Sequence, residues 1–149
     1  MSRHAARELA FQILFQTDVG RNSWQEVLPR TIEENELPEN SRLFLELLVK
    51  GTIQHLKEID AELVKYAQEW KLDRMANTDR NILRIAVFEI KYLEDVPAGV
   101  AVNEAVDLAK RYGDVDSGKF VNGLLGSLVR GMDNPNLPEQ QSLEPLRED

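Results

Sequence analysis

Between Tyr112 and Asn122 the chain reads YGDVDSGKFVN. Gly113 to Lys119 matches the first seven positions of the GxxxxGK[ST] loop, whose backbone N–H groups cradle phosphates while a terminal hydroxyl holds magnesium. The eighth position here is Phe120, which has no hydroxyl. Such a loop also follows a strand, whereas this turn follows a helical pattern, and Asp114 and Asp116 would repel a triphosphate. Nucleotide hydrolysis does not fit.

The same residues make better sense as a helix start. Asp116 or Ser117 can cap it, and the N–H groups after the cap favour an anion. Lys119 adds a positive charge, Phe120 a flat ring and Tyr112 a second ring, while Asn122 follows one turn on. Stacking a base on such a ring contributes about 1–3 kcal/mol in single-strand binders. The plainer reading stays open: a capped helix with Phe120 and Tyr112 in the core and Lys119 in water.

The elements that position this turn are helical. Apolar residues recur at a period of 3.6 along most of the chain, and no alternating strand pattern competes. A first helix spans about residues 2–17 on an Ala6, Leu9, Ala10, Ile13 stripe, and Ser23 caps a second over 24–34. Asn40 or Ser41 is expected to cap a third, which near 57–60 either continues or bends into a fourth reaching about Trp70. Thr78 or Asn77 caps a fifth, TDRNILRIAVFEIKYL, apolar around most of its circumference and therefore central. Pro97 sits just inside a sixth, which Gly113 ends as the residue after the last turn. A seventh runs over 117–130. The fold class expected is all-α, about seven helices, in one domain over 1–132 with an acidic, disordered tail over 133–149.

Composition narrows the function. The 149 residues carry a formal charge of −8, which opposes broad affinity for nucleic acid. The tail holds −4 of it, so the other 132 residues carry −4 and any basic surface is local. There is no cysteine, which excludes disulfides and thiolate metal sites and fits a reducing cytoplasm. His4 and His55 are too isolated for a metal site. No apolar run nears the roughly 18–20 residues that span a bilayer, and the start does not read as a signal peptide. The expectation is a cytoplasmic protein with no cofactor, no metal and no catalytic role.

Two further groups carry charge in informative places. Arg3, His4 and Arg7 crowd the first turns of a helix, where cations oppose the dipole by about 0.3–1 kcal/mol each. Such a violation marks either a functional surface or a merely solvated end. On the sixth helix Asn103, Glu104, Asp107, Lys110 and Arg111 form a polar face, which most often does nothing but face water. Arg80, Arg84 and Glu89 interrupt the apolar fifth helix. Each reads as paired within the bundle, with Glu89 also eligible for a protein-contact face. His55 reads as packed or half-exposed, and Trp24 and Trp70 as core or rim anchors.

Three blocks together resemble the NusB family of bacterial transcription antitermination factors: AARELAFQILFQTDV, WKLDRMANTDRNILRIAVFEI and VPAGVAVNEAVDLAKRYGDVDSGKFVNGLL. The resemblance covers roughly residues 3–130, and NEAVDLAK followed by a glycine turn and KFVNG is its most specific part. It implies two small packed helical bundles and a non-catalytic protein. It further implies binding of boxA single-stranded RNA of ribosomal RNA transcripts, jointly with the small-subunit ribosomal protein NusE, in the antitermination complex of RNA polymerase. Carried over by position, the RNA surface is Arg3 and Arg7 with His4 beside them, then Lys110, Arg111, Tyr112, Asp116, Ser117, Lys119, Phe120 and Asn122. Arg3, Arg7 and Lys119 would meet phosphates, Phe120 would stack, and Asp116 or Asn122 would reach base edges. Glu89 is the implied partner-binding residue. Some relatives carry a denser arginine cluster at the start, so RNA binding here is expected to lean on the partner. Related domains precede methyltransferase domains, but these 149 residues contain no cofactor-binding βαβ pattern. The alternative is a helical protein–protein or homodimerisation module without an RNA role.

Overall fold

The apolar stripes of the sequence close into helices α1 (Arg3–Val19), α2 (Trp24–Glu34), α3 (Glu39–Gln54), α4 (Leu56–Tyr66), α5 (Asn77–Tyr92), α6 (Ala98–Tyr112) and α7 (Ser117–Asp133), with a 3-10 turn at Leu72–Arg74. This is a computed structural model that describes residues 3–20, 22–67 and 72–133. Trp70 and, apart from Asp133, the expected acidic tail lie outside the described residues.

α5 is the axis of the molecule. Nine of its sixteen residues are buried, from Asp79 through Glu89, and it packs against α1, α3, α4, α6 and α7. α1 to α3 pack on one another on one side, and α4, α6 and α7 gather on the other. The core is continuous through α5, with Ile13, Leu45, Leu48, Ile59, Leu63, Ile82, Leu83, Leu125 and Leu128 almost fully buried. A helix apolar on all sides can sit only where neighbours cover every side, which is why the fifth pattern became the centre.

Helix boundaries differ from the sequence reading in instructive ways. Ser23 caps α2 as expected, accepting from the Gln25 N–H at 3.2 Å. α3 starts earlier than Asn40 or Ser41, after Pro38, and α5 starts after Ala76; neither has a side-chain cap bond. The third and fourth helices part at His55, whose N–H still bonds to the Gly51 carbonyl while its own carbonyl accepts from Ile59. The His55 ring stacks on Tyr92 with centroids 4.0 Å apart. Pro97 is the residue before α6 rather than its first residue.

Gly113 follows α6 as expected, but in an extended conformation at φ −92° and not in the left-handed region. Its value lies in space. A Cβ there would stand 2.3 Å from the Ser117 Oγ and 2.8 Å from the Ala109 carbonyl oxygen, so only glycine lets α7 start this close to the end of α6.

Candidate nucleic-acid interface

The α6–α7 turn is organised by Asp114 rather than by Asp116. The Asp114 carboxylate accepts from the Asp116 N–H at 3.0 Å and from the Ser117 hydroxyl at 3.2 Å, and the Ser117 Oγ accepts from the Asp114 N–H at 3.0 Å. Ser117 is therefore buried and spent on the turn, where an RNA contact was expected. Asp116 and Lys119 stay exposed and Phe120 is half-buried. Asn122, two residues beyond Phe120, is exposed. Lys110 lays its methylenes across Gly118, where an added Cβ would lie 3.1 Å from Lys110 Cγ.

Phe120, Asp116, Ser117 and Asp114 form one wall of a cleft of about 380 Å³, and Arg74, Met75, Ala76 and Asp79 form the other. The second wall was not read from the sequence. Asp79 looks there like an acid in the first turn of a helix, where the dipole welcomes it. Folding buries it instead, with Oδ1 enclosed and without a hydrogen-bond partner. Burial pushes its carboxyl above the ordinary range and nearby Asp114 adds to that, with only the neighbouring Ser117 hydroxyl acting in the opposite direction. A raised carboxyl pKa means the folded state resists ionisation, so its stability is fullest below the unfolded pKa and declines as pH rises through the folded one. Asp79→Asn is accordingly expected to raise the Tm at pH 7, and thermal melts should show that gain vanishing below about pH 4. A gain of equal size at acid pH would contradict this account.

The basic start of α1 is not where the sequence suggested. Arg7 is 4% exposed and donates from Nε and Nη2 to both oxygens of Glu89 at 2.7–3.0 Å. It is closed off from phosphate and does not belong to the RNA surface where the sequence placed it. Glu89 is 1% exposed, so it cannot itself be a partner contact either. Burial pushes the Glu89 carboxyl up, while the Arg7 hydrogen bonds pull it down.

Arg3 is half-exposed, pairs with Asp95 at 3.2 Å and lies over the Phe44 ring at 4.3 Å. It lines a different recess, with Asn40, Leu43 and Leu47. His4 Nδ1 lies 2.6 Å from Glu104 Oε1. Arg3, His4 and Arg7 thus each face a carboxylate, from the loop before α6, from α6 and from α5 respectively. Tyr112 contacts α1 at Gln12, nine residues beyond Arg3, which is about 13 Å along a helix. The expected surface therefore divides into a paired α1 start and a separate cleft.

Arg111 and Tyr112 join the two parts. Glu8 accepts from Arg111 at 2.9 Å and from the Tyr112 hydroxyl, which in turn accepts from Gln12 at 3.0 Å. The Tyr112 hydrogen bond, helped by Arg111, holds the Glu8 carboxyl below its usual range despite partial burial. Tyr112 also packs on Phe11 at 5.0 Å between centroids. Its ring is braced as well as partly exposed. Among the described residues, Lys110, Lys119 and Arg74 are cations around the turn and cleft without a carboxylate partner, and no group of acids and histidines could hold a metal. No described helix is long and apolar enough to cross a membrane.

Residues 4–130 match the model of the NusB family. A transcription antitermination protein NusB from Desulforamulus reducens is 46% identical over 144 residues, covering 97% of this chain and all of that protein. One from Symbiobacterium thermophilum is 48% identical over 140 residues, covering 89% and 92%. Among solved structures, T. maritima NusB superposes with a TM-score of 0.81 at 30% identity, covering 95% of this chain and 96% of that one. A crystal structure of antitermination factors NusB and NusE in complex with dsRNA superposes with a TM-score of 0.76 at 31% identity, covering 86% and 97%. Helix order, the KFVNG helix start and near full-length similarity agree, and the chain belongs to the NusB family of non-catalytic transcription antitermination factors.

Proposed function

We propose that this chain binds boxA-like single-stranded RNA in the cleft between the α6–α7 turn and the start of α5. It does so jointly with a NusE-type ribosomal protein, in the cytoplasm and within the antitermination complex of RNA polymerase. The observation that carries this reading is Phe120, half-buried in the wall of a cleft whose surroundings hold Lys119, Lys110 and Arg74, cations with no carboxylate partner among the described residues. A ring fixed by its own helix can stack a splayed base, while exposed Asp116 and Asn122 offer polar groups to base edges. A duplex keeps its bases stacked on one another, so this cleft suits a single strand.

Phe120→Ala should weaken binding of a boxA oligonucleotide in the presence of the partner by about 1–3 kcal/mol, roughly fivefold to 150-fold, as measured by filter binding. Lys119→Ala should weaken it less. With these three cations in reach, the slope of log affinity against log salt should be near −2, from about −0.7 per phosphate contact. Unchanged affinity in both variants would remove the site assignment.

The exposed Leu43 and Leu47 on the outer face of α3 favour a second reading, a protein-contact module that pairs with another copy. RNA titration separates the two, since that reading predicts no oligonucleotide binding with or without the partner.

A further inference from the structure

The cleft has one wall built on a helix start and one built on an entry that lacks a cap. The Ala76 side chain offers nothing to the first N–H groups of α5, and no side-chain cap bond is made there. The segment Leu72–Ala76 leads into this point, and its Arg74, Met75 and Ala76 form the cleft wall opposite Phe120. Something other than a cap has to hold it.

The structure assigns that task to Arg80: we infer that it is a positioning residue for RNA binding, latching the Leu72–Ala76 wall to α5 and to the end of α1. This rests on the cleft reading above. The Arg80 guanidinium reaches back over the start of its own helix, donating from Nη1 to the Leu72 carbonyl at 3.2 Å and from Nη2 to the Asn77 side chain. Its Nε and Nη2 both meet Asp18 Oδ2 on α1, at 3.1 and 2.6 Å. Asp18 is itself fixed, accepting from Asn81 at 2.9 Å and lying 3.6 Å from Arg84, which pairs with Asp60 on α4. Burial alone would raise the Asp18 carboxyl, but the hydrogen bonds from Arg80 and Asn81 outweigh it and hold it below its usual range. It is a charged anchor at neutral pH.

The planar fork matters. A cation in the first turn of a helix opposes the dipole, so charge alone does not explain Arg80 there. One guanidinium can bond a backbone carbonyl, an amide and a carboxylate in fixed directions at once; a lysine ammonium on a flexible stem cannot hold that geometry. The Arg80 side chain is nearly buried, so it acts on RNA only through the wall it holds.

The test is Arg80→Lys in the full chain with the partner present, measured by anisotropy of a labelled boxA oligonucleotide well below the melting temperature. Affinity should fall about fivefold, and Arg74→Ala should then cost almost nothing further, because groups acting through one another are not additive. A merely stabilising role would lower the melting temperature but leave the RNA affinity of the folded protein, and its additivity with Arg74→Ala, untouched. Unchanged affinity in Arg80→Lys, or a loss that adds fully to that of Arg74→Ala, overturns the inference. Should Arg80→Lys fail to fold, Asn77→Ala removes one of its acceptors at an exposed position and carries the same measurement. Phe120→Ala run alongside tells the two claims apart. If it weakens binding while Arg80→Lys and Asn77→Ala do not, only the latch fails; if it too has no effect, the cleft reading fails and the latch with it.

Discussion

Glu89→Ala is expected to lower the unfolding free energy by about 3–5 kcal/mol, because it strands the Arg7 guanidinium in the core. For a chain of this size that corresponds to a fall in Tm of roughly 10–15 °C. Arg7 is only 4% exposed and both its Nε and Nη2 are committed to Glu89, so water cannot replace the lost carboxylate without opening the α1–α5 contact. The nearest substitute is Glu104 on α6, 3.6 Å from Arg7 Nη1, which draws the expected loss toward the lower end. The double change Arg7→Met with Glu89→Leu should recover most of the stability, since no orphan charge remains. Arg3→Ala provides the contrast: its pair with Asp95 is exposed, and exposed pairs contribute about 0–1 kcal/mol. Urea denaturation of the three variants alongside the parent checks all of this. A Glu89→Ala protein within 1 kcal/mol of the parent would show that the pair is not the buried constraint described here.

Gly51→Ala is expected to cost about 3 kcal/mol, the upper part of the range for overpacking a filled core. An added Cβ would stand 2.1 Å from Phe88 Cζ and 2.4 Å from Cε1, well inside contact distance. The Phe88 ring is 3% exposed, so it has little room to retreat. α3 must therefore move away from α5, or the ring must leave its rotamer, and either disturbs the stack that runs from Phe88 through Tyr92 to His55. Gly99 offers the control, as an exposed helix position where an added Cβ meets nothing within 4 Å. Alanine there should be neutral or slightly stabilising, by up to about 1 kcal/mol from helix propensity. Phe88→Leu in the Gly51→Ala background should restore part of the loss by vacating the contested space. A Gly51→Ala melt that matches the Gly99→Ala melt would mean that the α3–α5 contact is looser than the geometry describes.

The two variants separate kinds of knowledge. That α5 is central follows from its sequence, because a helix with apolar residues on every side has to be covered on every side. That α3 crosses it at Gly51 does not, since a glycine in a helical pattern carries no mark of the neighbour it admits. The turn at Gly113–Phe120 was legible in a similar, partial way. A helix end, a glycine, an acidic loop and a new helix start are local features, and the structure contains all four. Which acid organises the turn was decided by approach distances, with Asp114 taking the bonds that Asp116 or Ser117 was expected to take.

The sequence by itself determined seven helical segments, their order, the family through blocks such as KFVNG, and the placing of Lys119 beside Phe120 at a helix start. These depend on neighbours within one or two helical turns, and periodicity reports such neighbours directly. Only the tertiary structure decided the fate of the charges. Arg7 and Lys119 are alike as letters, yet one is sealed against a carboxylate 82 positions away and the other stands in water. Asp79, an ordinary first-turn acid in the sequence, becomes a buried group in the cleft wall because α7 is laid beside it. Burial and ion pairing are set by residues that meet only when the chain closes, and a linear pattern holds no record of which helix will meet which.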